Sequence, residues 1–291
     1  MNSESFARAM EALGTYLEYL RRRGRQEITI KGYKNAIKVT LRWLAERGME
    51  CEPERIGEDE IVALLNGYGA SESTRKMYLD ILSGFLEKHG NRVVREMGLL
   101  WNELAHPNVR WITPEDMARV LDSLEHPTDR IIVMLSAYAG MRRGEIAALR
   151  LEDILSDRVV VTGKGHGQGK QRIIPLSTKV AAEIERYMAF RRQHVTDQQV
   201  PELVIAFDRT NGIHGLSAGG VGRRIERLCR RLGIDASTHS FRRFFATQAW
   251  NAMPSKDLKV LQRLMGHTTA TMTLRYIQCD EAAMFEVINR L

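Results

Sequence analysis

Between His239 and Tyr276 the chain places two histidines, an arginine and a tyrosine where short helices begin or end. His239 and Arg242 are three apart at the start of an expected helix, so they share a face. A helix N-terminus already favours anions through its unpaired N–H groups. A histidine and an arginine on that face make it a natural phosphate site. A second helix, capped by Ser255, should run to Leu264 and end at Gly266, leaving His267 just past the glycine. Thr271-Met-Thr-Leu-Arg-Tyr276 reads as a short helix that closes on the tyrosine. Together these groups could hold a phosphate and attack it. Taken singly, each has a blander reading as an ordinary surface or core residue.

Two upstream cations could complete such a site. In Ala139-Gly-Met-Arg-Arg-Gly-Glu145 one helix ends at Gly140 and another begins near Gly144, which puts Arg142 at a junction. A junction can present a guanidinium to a ligand, and Glu145 could brace Arg142 or Arg143 by a charge-assisted hydrogen bond. Alone, a surface arginine is the simpler reading. Further on, Arg158–Thr162 and Arg172–Leu176 are β-branched runs joined by a glycine-rich tip, a hairpin pattern. The tip is not a phosphate loop, because Lys164 stands where the first glycine must be and Gln171 replaces the Ser or Thr. It carries Lys164 and Lys170, either of which could reach into a groove. Lys164, at the end of the first strand, would be the better fixed.

The elements that must position these residues fall into two segments. The chain has 291 residues, 44% hydrophobic and 27% charged, enough for two cores of about 100–150 residues each. Residues 1–105 read as helices only, a small bundle with a basic cluster at Arg21, Arg22, Arg23 and Arg25. That cluster could track a phosphate backbone, although a solvated helix end is the plainer reading. His106-Pro107 breaks the pattern, so a linker is expected over 106–112. Thr113-Pro114 then starts a second domain over 113–291, with mixed helix and strand. Net charge is +7. Residues 1–105 carry equal numbers of acidic and basic residues, so the whole excess lies in 106–291. Part of it is Arg223, Arg224, Arg227, Arg230 and Arg231 on a helix expected over 219–233. These arginines suggest a helix laid against DNA, with a solvated face as the alternative.

No run of about 18 apolar residues suggests a membrane span, and the N-terminus lacks the basic start and apolar core of a secretory signal. Cys51, Cys229 and Cys279 form no metal-ligand spacing or disulfide framework. A reducing, cytoplasmic compartment is therefore expected.

Arg142, Lys164 on a hairpin, His239-x-x-Arg242, Gly266-His267 and Tyr276 nine residues later resemble the active-site set of the tyrosine recombinases, the phage-integrase and Xer-type site-specific recombinases. The similarity runs over nearly the whole chain, and six positions in the right order carry it. It implies a mainly α fold with a small β-sheet: an N-terminal helical bundle that clamps DNA, followed by a mixed α/β catalytic domain. It further implies that Arg142 and Arg242 clamp the scissile phosphate and that His267 donates to it. Tyr276 attacks to form a 3′-phosphotyrosyl bond, His239 serves as base, and Lys164 protonates the leaving 5′-oxygen. The expected partner is a double-stranded DNA site, bound by four copies of the chain on two duplexes, with no metal or cofactor. The amphipathic tail after Tyr276 would dock on a neighbouring copy or pack on its own domain. One departure is Arg243, where Xer-type proteins usually carry His. A catalytically silent DNA-binding protein of the same fold is the competing expectation.

Overall fold

The structure, a computed structural model, describes residues 3–101, 109–163, 170–196 and 199–277. They fall into two compact units, one ending and the other beginning between residues 101 and 109.

The first unit is helical: α1 (Ser3–Arg22), α2 (Glu27–Glu46), α3 (Glu58–Gly67), α4 (Glu72–Lys88) and the short α5 (Val93–Glu96). Helices α1, α2 and α4 pack together, burying Leu13, Leu41 and Leu44 with Leu82 and Phe85, residues at helical spacing on each face. Ser71 caps α4 by accepting from the Thr74 N–H. Helix α2 starts after Gln26, which puts Thr29 inside its first turn. In the basic cluster Arg21 pairs with Glu27 at 2.8 Å and Arg23 donates to the Tyr19 hydroxyl at 2.7 Å, while all four arginines are exposed.

The second unit is built on α7 (Pro127–Ala137), whose Ile131-Ile-Val-Met-Leu135 run is buried on every side. That run has no polar face because α8 (Arg143–Ala148), α9 (Thr178–Arg192), α10 (Ala218–Leu232) and α11 (Thr238–Ala252) all pack on α7. Helix α6 (Pro114–Asp122) begins as expected, with Thr113 accepting from the Asp116 N–H and proline in the first turn. The β component is two antiparallel hairpins. β1 (Arg158–Gly163) pairs β2 (Lys170–Pro175), with Gly163 opposite Lys170. β3 (Ile205–Asp208) pairs β4 (Gly212–Gly215). The second hairpin went unread in the sequence, its strands being only four residues long.

Residues 106–108 of the expected linker lie outside the described residues. The following residues pack on the second unit: Arg110 pairs with Asp235 at 3.1 Å and Ile112 is buried in the core. Helix α12 (Leu258–Met265) is capped by Asp257, not Ser255, because the Asp257 carboxylate accepts from the Lys259 and Val260 N–H groups. Helix α13 (Ala270–Leu274) ends before Tyr276. Among the described residues no helix is long and apolar enough to cross a membrane.

Candidate active site

Arg142 is the residue from which α8 starts. Its N–H donates to Glu145 Oε2 at 2.7 Å and its Nη1 to Glu145 Oε1 at 2.8 Å. Its Nη2 reaches the Gly266 carbonyl at 3.2 Å, tying α8 to the end of α12. Glu145 is buried and also accepts from Arg172 on β2, whose Nη2 lies at 2.9 Å. Burial alone would raise the Glu145 pKa. The Arg172 hydrogen bonds and charge, with those of Arg142, outweigh it and hold the carboxyl below its ordinary range. Arg172 donates in addition from Nε to the Leu264 carbonyl at 3.2 Å.

Arg242, on the first turns of α11, is 1% exposed. Its guanidinium donates to the Gly140 and Met265 carbonyls and stands 3.8 Å from Glu145 Oε2. Burial first, then Arg142, lowers its pKa to about 9, with Glu145 opposing, so it stays protonated at neutral pH. Gly140 and Gly266 both adopt the left-handed region, with φ of 62° and 61°. A Cβ on Gly140 would meet the Phe245 ring at 2.3 Å, and one on Gly266 would meet Arg172 Cδ at 2.6 Å. Both junctions therefore require glycine on two counts.

His267 is buried between Arg242 Nη2, 3.3 Å from its Nε2, and Thr273 Oγ1, 3.1 Å from its Nδ1. Arginine only donates, so Nε2 accepts and the ring proton sits on Nδ1, facing Thr273. Burial, then the charges of Arg242, Arg142 and Arg172, push the imidazole down to about 4. The folded protein thus holds His267 neutral while the unfolded chain takes up a proton below pH about 6.5. Stability should be unaffected by this group above pH 6.5 and fall as pH drops toward 4. The loss is roughly 2 kcal/mol between pH 7 and 5. Urea unfolding at the two pH values checks this, because His267→Gln should lose most of that slope. An unchanged slope in the variant would mean the ring is not held neutral.

His239, in the first turn of α11, is open to solvent on one side. The surrounding protein and then Arg243, Arg143, Arg242 and Arg142 lower its pKa, which favours the neutral ring. Its Nδ1 stands 3.5 Å from the Tyr276 hydroxyl, a long contact within reach of proton transfer after a small closure. The Tyr276 ring packs beside the α11–α12 cluster of Ala246, Leu261 and Met265, with the His267 ring centroid 4.8 Å away.

The structure thus brings together Arg142, Glu145, His239, Arg242, His267 and Tyr276. Lys164 lies outside the described residues, as does the tail after Ile277. Arg172 was read in the sequence only as part of a strand. It shares the face of β2 with buried Ile174, and a charge on the buried face of an alternating strand demands a partner. That signal was available. The arginines of α10 divide. Arg224 pairs with Asp129 at 3.0 Å and Arg231 donates to the Ser123 carbonyl at 3.0 Å, both within the unit. Arg223, Arg227 and Arg230 remain an exposed stripe at i, i+4 and i+7. Among the described residues no three or more His, Cys, Asp or Glu gather as metal ligands.

The sequence model of the phage integrase family matches residues 110–282, more than half of the chain. The chain belongs to the phage integrase family. Among curated relatives, a tyrosine recombinase XerA of Pyrococcus furiosus is 25% identical over 96% of this chain and 93% of the relative. At family level the activity is tyrosine-type site-specific DNA recombination. The fold is that of solved integrases. A Tn1549 transposon integrase in complex with a circular intermediate DNA superposes with a TM-score of 0.71 at 19% identity, covering 96% of this chain and 99% of that one. A lambda integrase tetramer bound to a Holliday junction superposes at 0.64, 21% identical, covering 90% and 78%. The family match begins at Arg110, where the chain starts to pack on the second unit.

Proposed function

We propose that this chain cleaves and rejoins DNA at a specific site through a covalent 3′-phosphotyrosyl intermediate, with Tyr276 as nucleophile. One observation carries the reading. The Tyr276 hydroxyl stands 3.5 Å from His239 Nδ1, beside a nest in which Arg142, Arg172 and Arg242 share the single carboxylate of Glu145. Three guanidiniums against one carboxylate leave a net positive, partly buried site that a phosphodiester would neutralise.

Tyr276 Oη attacks phosphorus and the bond from phosphorus to the 5′-oxygen breaks. The phenol proton passes to His239, kept neutral by burial and then by its cationic surroundings and so able to accept it. The departing 5′-oxygen takes a proton from Lys164, the expected acid. Arg142 and Arg242 neutralise charge on the non-bridging oxygens. Arg242 Nη2 now faces His267 Nε2, so a phosphate must take over that donor, and His267 must move its proton to Nε2 before it can also donate. Religation is the reverse, with a 5′-hydroxyl attacking the phosphotyrosine. The bond exchange conserves energy, so no cofactor enters.

The first unit, residues 1–105, would contribute to holding the duplex, and Arg223, Arg227 and Arg230 would follow its phosphates. Exchange between two duplexes calls for four copies of the chain, an assembly supported at the level of fold by the lambda integrase tetramer. With chromosomal or element DNA as its substrate, the protein would work in the cytoplasm.

The test starts from a duplex recovered by its binding to the protein from a random pool, then nicked close to the cleavage point so that the freed end diffuses away. Incubated in EDTA, the protein should form a denaturant-resistant adduct as fast as in magnesium. Tight binding of this duplex with no adduct at any nick position would overturn the reading in favour of a DNA-binding protein without catalysis.

A further inference from the structure

Tyr276 is weakly held by its own backbone. It follows the end of α13, its N–H reaches only the Thr273 carbonyl at 2.9 Å, and its hydroxyl has the long contact to His239. The position of the phenol therefore depends on what packs against the ring. Two guanidiniums do so, Arg242 with Cζ 5.8 Å from the ring centroid and Arg243 at 5.6 Å. They differ in how they are held. Arg242 is fixed by the Gly140 and Met265 carbonyls, and its task is the phosphate. The buried Nε of Arg243 has no hydrogen-bond partner among the described residues. Its guanidinium is located instead by rings: Cζ lies 5.9 Å from the Trp111 centroid and 5.6 Å from the Tyr276 centroid. Both distances fall within the roughly 6 Å over which a cation is attracted to an aromatic face.

We propose that Arg243 is a positioning residue for the nucleophile: held against Trp111, its guanidinium packs on the Tyr276 ring and fixes the phenol beside His239. The inference rests on the proposed role of Tyr276. The planar guanidinium suits this task as an ammonium does not, because it stacks on one ring while facing another. Trp111 thereby becomes part of the site without touching the reacting atoms. It lies next to Ile112, which is anchored in the core, so the bracket stands on a fixed base.

The full-length chain and the nicked duplex described above provide the test, at saturating DNA and in a single turnover. The variants are Arg243→Met, Arg243→Lys, Trp111→Leu and the Arg243→Met/Trp111→Leu double. Arg243→Met should slow adduct formation about tenfold while duplex affinity stays within about threefold, and Arg243→Lys should recover only part of the rate. Trp111→Leu should slow the reaction comparably, and the double variant should be no slower than the slower single, because both changes remove one bracket. A wild-type rate in Arg243→Met would overturn the proposal. So would a loss of affinity in step with the rate, which would make Arg243 a DNA contact, or a double variant slowed by the product of the singles. Should Arg243→Met fail to fold, Arg243→Lys with Trp111→Leu decides by the same criteria. Failure of the wild-type protein to form any adduct speaks against the recombinase reading and is seen separately.

Discussion

Tyr276→Phe should abolish the denaturant-resistant adduct, with a rate loss of at least about 10⁴-fold, while duplex affinity stays within about threefold. In the proposed reaction the phenol oxygen is the atom that becomes bonded to phosphorus, and nothing nearby replaces it. His239 stands 3.5 Å from that oxygen, but the corresponding phosphohistidine would need the ring to travel to the phosphate from the first turn of α11. The substitution is otherwise mild. The ring keeps its packing beside Ala246, Leu261 and Met265 and its contact with the His267 ring. The lost hydroxyl has only its long contact to an imidazole open to solvent, so stability should change by less than about 0.5 kcal/mol. Adduct in the variant, detected on a denaturing gel with labelled duplex, would show another nucleophile at work.

Arg242→Ala should have an equally large effect on cleavage, about 10³-fold or more, and a second effect that the sequence did not foretell. With 1% of its surface exposed, Arg242 is a structural cation as well as the proposed phosphate ligand. Its removal leaves the Gly140 and Met265 carbonyls without their donor and takes one positive neighbour from Glu145. Breaking a buried charged network typically loses about 3–5 kcal/mol. Arg142 is the control. Its side chain is 27% exposed, so Arg142→Ala should impair cleavage as severely while destabilising the fold by about 1–2 kcal/mol. Chemical denaturation of the two variants beside their cleavage rates separates the roles. Equal stability losses would mean that burial of Arg242 has no energetic weight.

The resemblance to the tyrosine recombinases picked out six positions, and the structure brings Arg142, His239, Arg242, His267 and Tyr276 together, while Lys164 lies outside the described residues. The stop of α12 at Gly266 was legible because a glycine at a helix end signals a left-handed turn, whereas α7 ends at Ala137, before the left-handed Gly140. Three things were not legible. Four-residue strands such as β3 and β4 are too short to establish an alternation. The cap of α12 went to Ser255 over Asp257 because both residue types cap well, and only the backbone course decides between them. The helix over 219–233 was read as one arginine face. Its true division into Arg224 and Arg231 against α6 and α7 and the stripe of Arg223, Arg227 and Arg230 depends on which neighbours flank the helix.

The guanidiniums of Arg142 and Arg242 are spaced by main chain. Besides the Glu145 carboxylate and the His267 ring, their donors end on the carbonyls of Gly140, Met265 and Gly266, groups that every amino acid supplies in the same place if the backbone follows the same path. The dimension that a phosphate must match is therefore carried by two helix ends and not by the side chains of α7 or α12. Such a site can drift widely in composition around its fixed points. Most positions of α12 need only keep a helix that stops at residue 265, whereas a single methyl group on Gly140 or Gly266 would push the two cations out of register. The tolerance of this active centre to mutation is thus sharply uneven, generous along its helices and almost nil at the two glycines where they turn.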